Sequence, residues 1–219
     1  MREIKVTYDV YTFEELPEHI QNKLIEDERE YLSSDWSYFF YQDILDDWVT
    51  RLEEQGFNSP KINYSGFWSQ GDGASFTTDS IDLIKLCDHL ELWPAGKEKT
   101  YRSLLENLSY IVYLKRTNHH YYHENSTTFY CHVVYSQWGP TKAQKAFDKF
   151  FQDIKPLIDN HIVDMGIAIY KDLQKDYEAY TTEEFARQQL MELGREYVVD
   201  KDGNYIKTLD YNIGESWND

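Results

Sequence analysis

Two runs suited to extended chain, Lys61–Ser69 and Ala74–Ile81, are separated only by Gln70-Gly71-Asp72-Gly73. Asp-Gly at that spacing is a strong hairpin signal, because glycine accepts the positive φ that a tight turn demands. The block commits the middle of the chain to a strand, a turn and a returning strand. A second pair of runs, Ser109–Thr117 and Thr127–Ser136, is rich in Tyr, Val and Ile and encloses the segment NHHYYHENS. Such residues suit a pleated, half-buried surface, so a second hairpin is expected there.

On either side the period changes from two to that of a helix. Glu3–Tyr11 reads as a strand, with Ile4, Val6, Tyr8 and Val10 on one face. Thr12 with Glu15 forms a capping box, and Leu16, Ile20 and Leu24 predict a helix to about Tyr31. Ser33, Ser34 and Asp35 offer caps for a second helix, whose stripe is Phe40, Ile44, Trp48 and Leu52 and whose end is Gly56. Short helices are expected over Ile84–Trp93 and Tyr101–Leu105. A longer helical section begins near Ala143, and Pro156 is expected to break or kink it. Thr181 with Glu184 caps a last helix to about Gly194, and Tyr197-Val198-Val199 and Tyr205-Ile206 flank a turn at Asp202-Gly203-Asn204. The fold class is α+β: an antiparallel β-sheet of hairpins packed with amphipathic helices at both chain ends. Residues 1–208 read as a single domain and 209–219 as a flexible tail.

The formal net charge is −17, concentrated at the ends. Residues 1–60 carry 15 acids and 5 bases, and 151–219 carry 15 acids and 7 bases, whereas 101–141 carries 2 acids and 3 bases. Such a body repels phosphate backbones, so direct nucleic-acid binding is not expected, and it favours a basic partner. The two cysteines, Cys87 and Cys131, have no metal-type spacing and read as reduced, buried thiols. The first residues lack the apolar core of a signal peptide, and no apolar run is long enough to span a bilayer. A soluble, cytoplasmic protein without a membrane partner is expected.

Candidate chemistry lies in the two hairpin tips. GFWSQGDGASF is neither a P-loop, a dinucleotide fingerprint nor a nucleophile elbow. A turn aspartate such as Asp72 commonly bonds its own backbone. Phe67 and Trp68 are adjacent, so on a strand they face opposite sides, one to the core and one available as a binding anchor. In the second tip, His119, His120 and His123 fall within five residues, but as HHxxH on a loop rather than HExxH on a helix. Tyr and His also suit an adaptable contact surface. The candidate binding residues are therefore Phe67, Trp68, Gln70, Asp72, His120, Tyr121, Tyr122 and His123. No catalytic residue, metal site or cofactor is assigned.

Several blocks, YTFEELPEHIQNKLIEDEREYL, INYSGFWSQGDGASFTT, HYYHENSTT and YVVDKDGNYI among them, resemble in the same order a family of tailed-bacteriophage proteins, some labelled "antitoxin of a toxin–antitoxin system". The resemblance runs from about Tyr8 to Ile206, and its best motif is Gly66–Phe76. It implies a phage accessory protein acting in the host bacterial cytoplasm, and supplies no catalytic residue. The reading that results is a non-enzymatic protein that binds and neutralises a bacterial host protein, such as a defence protein, nuclease or toxin, with a basic surface on that target. The alternatives are a small-molecule or nucleotide-sequestering protein using Trp68, Tyr121, Tyr122 and His123, and a metal-dependent enzyme using Asp72 and the His119–His123 loop. The enzyme requires the two tips to meet in space.

Overall fold

The computed structural model describes residues 8–39, 41–117, 121–134, 141–200 and 203–209. In chain order the elements are β1 (Asp9–Tyr11), α1 (Glu18–Phe39), α2 (Gln42–Glu54), β2 (Phe57–Asn58), β3 (Lys61–Ser65), β4 (Gly73–Thr77), β5 (Ser80–Ile81) and α3 (Leu83–His89). They continue with α4 (Glu98–Asn107), β6 (Tyr110–Arg116), β7 (Thr127–Val133), α5 (Lys142–Tyr180), α6 (Glu183–Glu192), β8 (Glu196–Val199) and β9 (Tyr205–Leu209). Among the described residues all strand pairs are antiparallel, and the fold is α+β. The chain divides into two compact units, residues 1–40 with 175–219, and residues 41–174. The second crossing, at 174/175, falls within α5.

The first unit is a three-stranded sheet, β1-β8-β9, covered by helices. Phe13, Leu16, Ile20, Leu24 and Ile25 form its core with Ala186, Leu190, Tyr197 and Val199. Thr12 and Glu15 do pair, the threonine N–H and hydroxyl both donating to the carboxylate, but they cap a 3-10 turn at Phe13–Glu15 rather than α1. The expected caps at Ser33–Asp35 are interior to α1, which runs on to Phe39. Serine and aspartate are tolerated inside a helix whose tertiary packing outweighs local propensity. The last cap is Thr182, whose hydroxyl accepts from the Phe185 N–H, one residue beyond the expected position. Tyr8 and Val10, the described members of the expected strand face, are exposed. Residues 3–7 and 210–219 lie outside the described residues.

In the second unit the β3-β4 and β6-β7 hairpins form, but β3 stops at Ser65 and β4 starts at Gly73, so a longer loop over 66–72 replaces the tight turn expected at 70–73. Thr78 joins them: its N–H donates to the Leu114 carbonyl at 3.1 Å and its carbonyl accepts from the Leu114 N–H at 2.9 Å. Helix α5 packs Phe147 and Phe151 against Tyr110 and Phe129 of the second hairpin. Phe57 and Phe76 meet edge to face at 5.0 Å, and both are fully buried. Cys87 and Cys131 are unbridged, Cys87 buried as expected and Cys131 only half-buried; burial pushes both thiols up to about 12, so they stay protonated at neutral pH.

Pro156 does not break α5, which runs unbroken for 39 residues. Its ring is exposed, while Ile154, Ile158 and Ile162 bury the opposite stripe. The lost hydrogen bond therefore lies on the solvent side, where water satisfies the orphaned carbonyl. Pro156→Ala is expected to stabilise the protein by about 1–3 kcal/mol, read as a higher chemical-denaturation midpoint.

His161 on α5 is hydrogen-bonded through Nε2 to Gln55 Oε1 at 2.7 Å, with the His89 ring 5.9 Å away. Burial, reinforced by His89 and opposed by Asp164, lowers its pKa below the ordinary 6.5. The neutral ring is thus favoured in the folded state. Its stabilising contribution is present above the unfolded value and is lost as pH falls through the folded pKa. Acid titration of stability should be shallower in His161→Gln than in the parent over that window.

Candidate functional site

The two hairpin tips meet, and glycines allow it. A Cβ on Gly71 would stand 2.4 Å from the Tyr121 ring, and one on Gly73 would stand 2.6 Å from the His123 Cα. On α5, a Cβ on Gly166 would stand 2.8 Å from the Ala74 carbonyl and 2.9 Å from the Glu124 Cβ. These separations are far inside van der Waals contact, so the second tip closes over the first only where side chains are missing. The buried Ser126 hydroxyl then bonds the Ser75 hydroxyl at 3.0 Å, tying the second tip to β4. Gly71 serves the connection between the strands, with φ +91°, while Gly73 is already paired with Ser65 in β4; both serve the contact between hairpins.

Strand β3 ends at Ser65, so Phe67 and Trp68 lie on the loop rather than on a strand, and strand alternation does not orient them. They diverge all the same. The Phe67 ring packs 5.4 Å from that of Tyr170 on α5, whose hydroxyl donates to the Gly66 carbonyl at 3.3 Å. Trp68 is 68% exposed and has φ +77°. That region costs a residue with a Cβ roughly 1–2 kcal/mol. The loop supplies the opposing constraints: the Asp72 carboxylate accepts from the Ser69 N–H at 2.6 Å, and the Asp72 N–H donates to the Ser69 carbonyl at 3.2 Å. A large apolar ring is thus held in solvent on a strained but pinned backbone.

In the second tip, Tyr121 is exposed over Gly71, and the Arg116 guanidinium lies 3.8 Å from the centre of the Tyr122 ring while donating to the Tyr121 carbonyl at 3.0 Å. His123 is used locally, its Nδ1 accepting from the Asn125 N–H at 3.1 Å. Gln70 is exposed at the tip of the first hairpin. His119 and His120 lie outside the described residues. Among the described residues no three His, Cys, Asp or Glu side chains are grouped to hold a metal ion.

Seven of the eight candidate residues therefore fall in or beside one surface. Asp72 and His123, the groups an enzyme reading would use, are both engaged with nearby backbone N–H groups. Burial, then the charge of Asp72, raises the Tyr170 pKa, so that phenol remains a neutral donor to the loop. An open recess of about 570 Å³ runs along α4 from Lys97 to Asn107, with Ala146 beside it, and shares no residue with the tips. Sequence reasoning missed Tyr170 and Gly166; their helix is distant in sequence, and neither residue belongs to a recognisable motif.

A family model described as a domain of unknown function, DUF8835, matches residues 40–183, which takes in the whole of the second unit. No curated protein and no solved structure matches the chain.

Proposed function

The chain belongs to the DUF8835 family, and we propose that it is a phage accessory protein that binds and neutralises a bacterial host protein without catalysis. The observation that carries this reading is Trp68, a 68% exposed indole on backbone with positive φ. Backbone strain of this kind persists only where the surroundings enforce it, and it concentrates at functional sites. Exposed tryptophans are frequent anchors of protein interfaces, and a loop already fixed before binding loses less entropy on association.

The net charge of −17 supports a basic target, because opposite charge speeds encounter and like charge discourages other partners. Among the described residues no helix is long and apolar enough to cross a membrane. The phage origin and the host-cytoplasm location rest on the likeness of the GFWSQGDGASF and neighbouring blocks.

Capture from bacterial lysate on the immobilised full chain, with mass spectrometry, tests the reading. One stoichiometric host protein whose activity falls on titration with this chain is the expected result. Recovery of only a metal or a nucleotide overturns it and favours the alternatives.

A further inference from the structure

Three tryptophans have described side chains in this protein: Trp48, Trp68 and Trp93. Two of them carry the same arrangement of neighbours. The Arg51 guanidinium lies 4.9 Å from the Trp48 ring centre and pairs with Asp47 at 2.5 Å. The Arg102 guanidinium lies 5.0 Å from the Trp93 ring centre and pairs with Asp88 and, at 3.1 Å, with Glu98. Each is an indole covered by an arginine whose charge is answered by a carboxylate. A guanidinium is suited to this because it is planar, weakly hydrated and always charged.

Trp68 has the indole and the carboxylate but not the cation. The carboxylate on its loop is Asp72, whose Oδ2 accepts from the N–H of Ser69, the residue after Trp68, leaving Oδ1. Glu124 of the second tip adds a second acid next to Gly73: its Oε1 accepts from the Asn125 side-chain amide at 2.9 Å, and its Oε2 lies 3.5 Å from where a Gly73 Cβ would stand. Neither Asp72 nor Glu124 is in an ion pair among the described residues, and no cation covers the Trp68 ring there. Arg116, the cation of the second tip, is committed to Tyr122 and the Tyr121 carbonyl.

We propose that the partner supplies the missing group: an arginine from a basic protein segment lies over the Trp68 indole with Asp72 and Glu124 as its counter-charges. This rests on the binding reading above and names the chemistry of the same surface. Charge selects the occupant, since a chain of −17 repels both nucleic acid and a second copy of itself while attracting a basic segment.

The test titrates the full chain with an arginine-rich nonapeptide and with the same peptide carrying citrulline, which keeps the shape and removes the charge. The readout is the Trp68 indole N–H resonance, assigned by its loss in Trp68→Phe. Saturable shifts with the arginine peptide alone are expected, with affinity about tenfold weaker in Asp72→Asn, whose amide still accepts from the Ser69 N–H. Equal binding of the citrulline peptide overturns the proposal. So does arginine-peptide affinity that stays within twofold in both Trp68→Ala and Asp72→Asn, since that marks diffuse attraction to an acidic surface. The two readings fail separately. A captured host protein that needs Trp68 but is not displaced by the arginine peptide sinks only the arginine assignment. Specific peptide binding at Trp68 with no host protein captured upholds the arginine assignment and sinks the neutralising role.

Discussion

Trp68→Ala is expected to abolish capture of the partner while leaving the protein folded. The indole is 68% exposed, so little apolar area returns to water when it is removed. Alanine keeps the Cβ and hence the same backbone strain at φ +77°. Stability should therefore change by no more than about 0.5 kcal/mol, the usual range for an exposed position. Loss of an interface anchor costs about 2 kcal/mol or more, a decrease in affinity of roughly thirtyfold or greater. Trp68→Gly sharpens the point: glycine relieves the strain and should melt no lower than the parent, yet bind as poorly as alanine. Calorimetric titration beside thermal melts separates the two effects. A large fall in melting temperature for Trp68→Ala would mean that the ring is structural.

Gly166→Ala should be strongly destabilising, against the ordinary rule. Inside a helix, glycine to alanine commonly gains up to about 1 kcal/mol. Here the new methyl would stand 2.8 Å from the Ala74 carbonyl oxygen and 2.9 Å from the Glu124 Cβ. One neighbour is strand backbone and the other belongs to the tip that closes over it, so neither is the end of a flexible chain. Overpacking of this kind costs about 1–3 kcal/mol beyond the lost helical gain. The check is a denaturant midpoint, with partner affinity measured alongside. Both should fall, because the methyl pushes α5 away from the contact that brings the tips together. An unchanged or raised midpoint would show that helix and hairpins do not pack as closely as described.

Local signals carried much of the fold. The two hairpins, the helix end at Gly56 and the short helices near 84 and 101 follow from residue chemistry within about ten positions, whereas the tight Asp-Gly turn does not form: Gly73 is paired in β4 and the positive φ falls on Gly71. Where packing over longer range decides, local signals misled. Ser33–Asp35 has the chemistry of a cap, yet α1 continues through it. Pro156 has the chemistry of a breaker, yet it lies on the solvent face of a helix held by an isoleucine stripe. The site was legible in its parts and not in its assembly. Phe67, Trp68, Asp72, Tyr121 and His123 stand out in the sequence as aromatic and titratable residues in hairpin tips. Their convergence depends on absent side chains at Gly71, Gly73 and Gly166, and a sequence does not say which glycines serve a turn and which serve a close approach.

Binding is assigned to the surface formed by the joined hairpin tips. Hydrogen–deuterium exchange of the full chain, free and in complex with its captured partner, tests it most directly. New protection is expected over residues 66–72 and 121–125, with the acidic helices α1 and α6 little changed. Protection confined to those helices, with both tips exchanging as in the free chain, would contradict it.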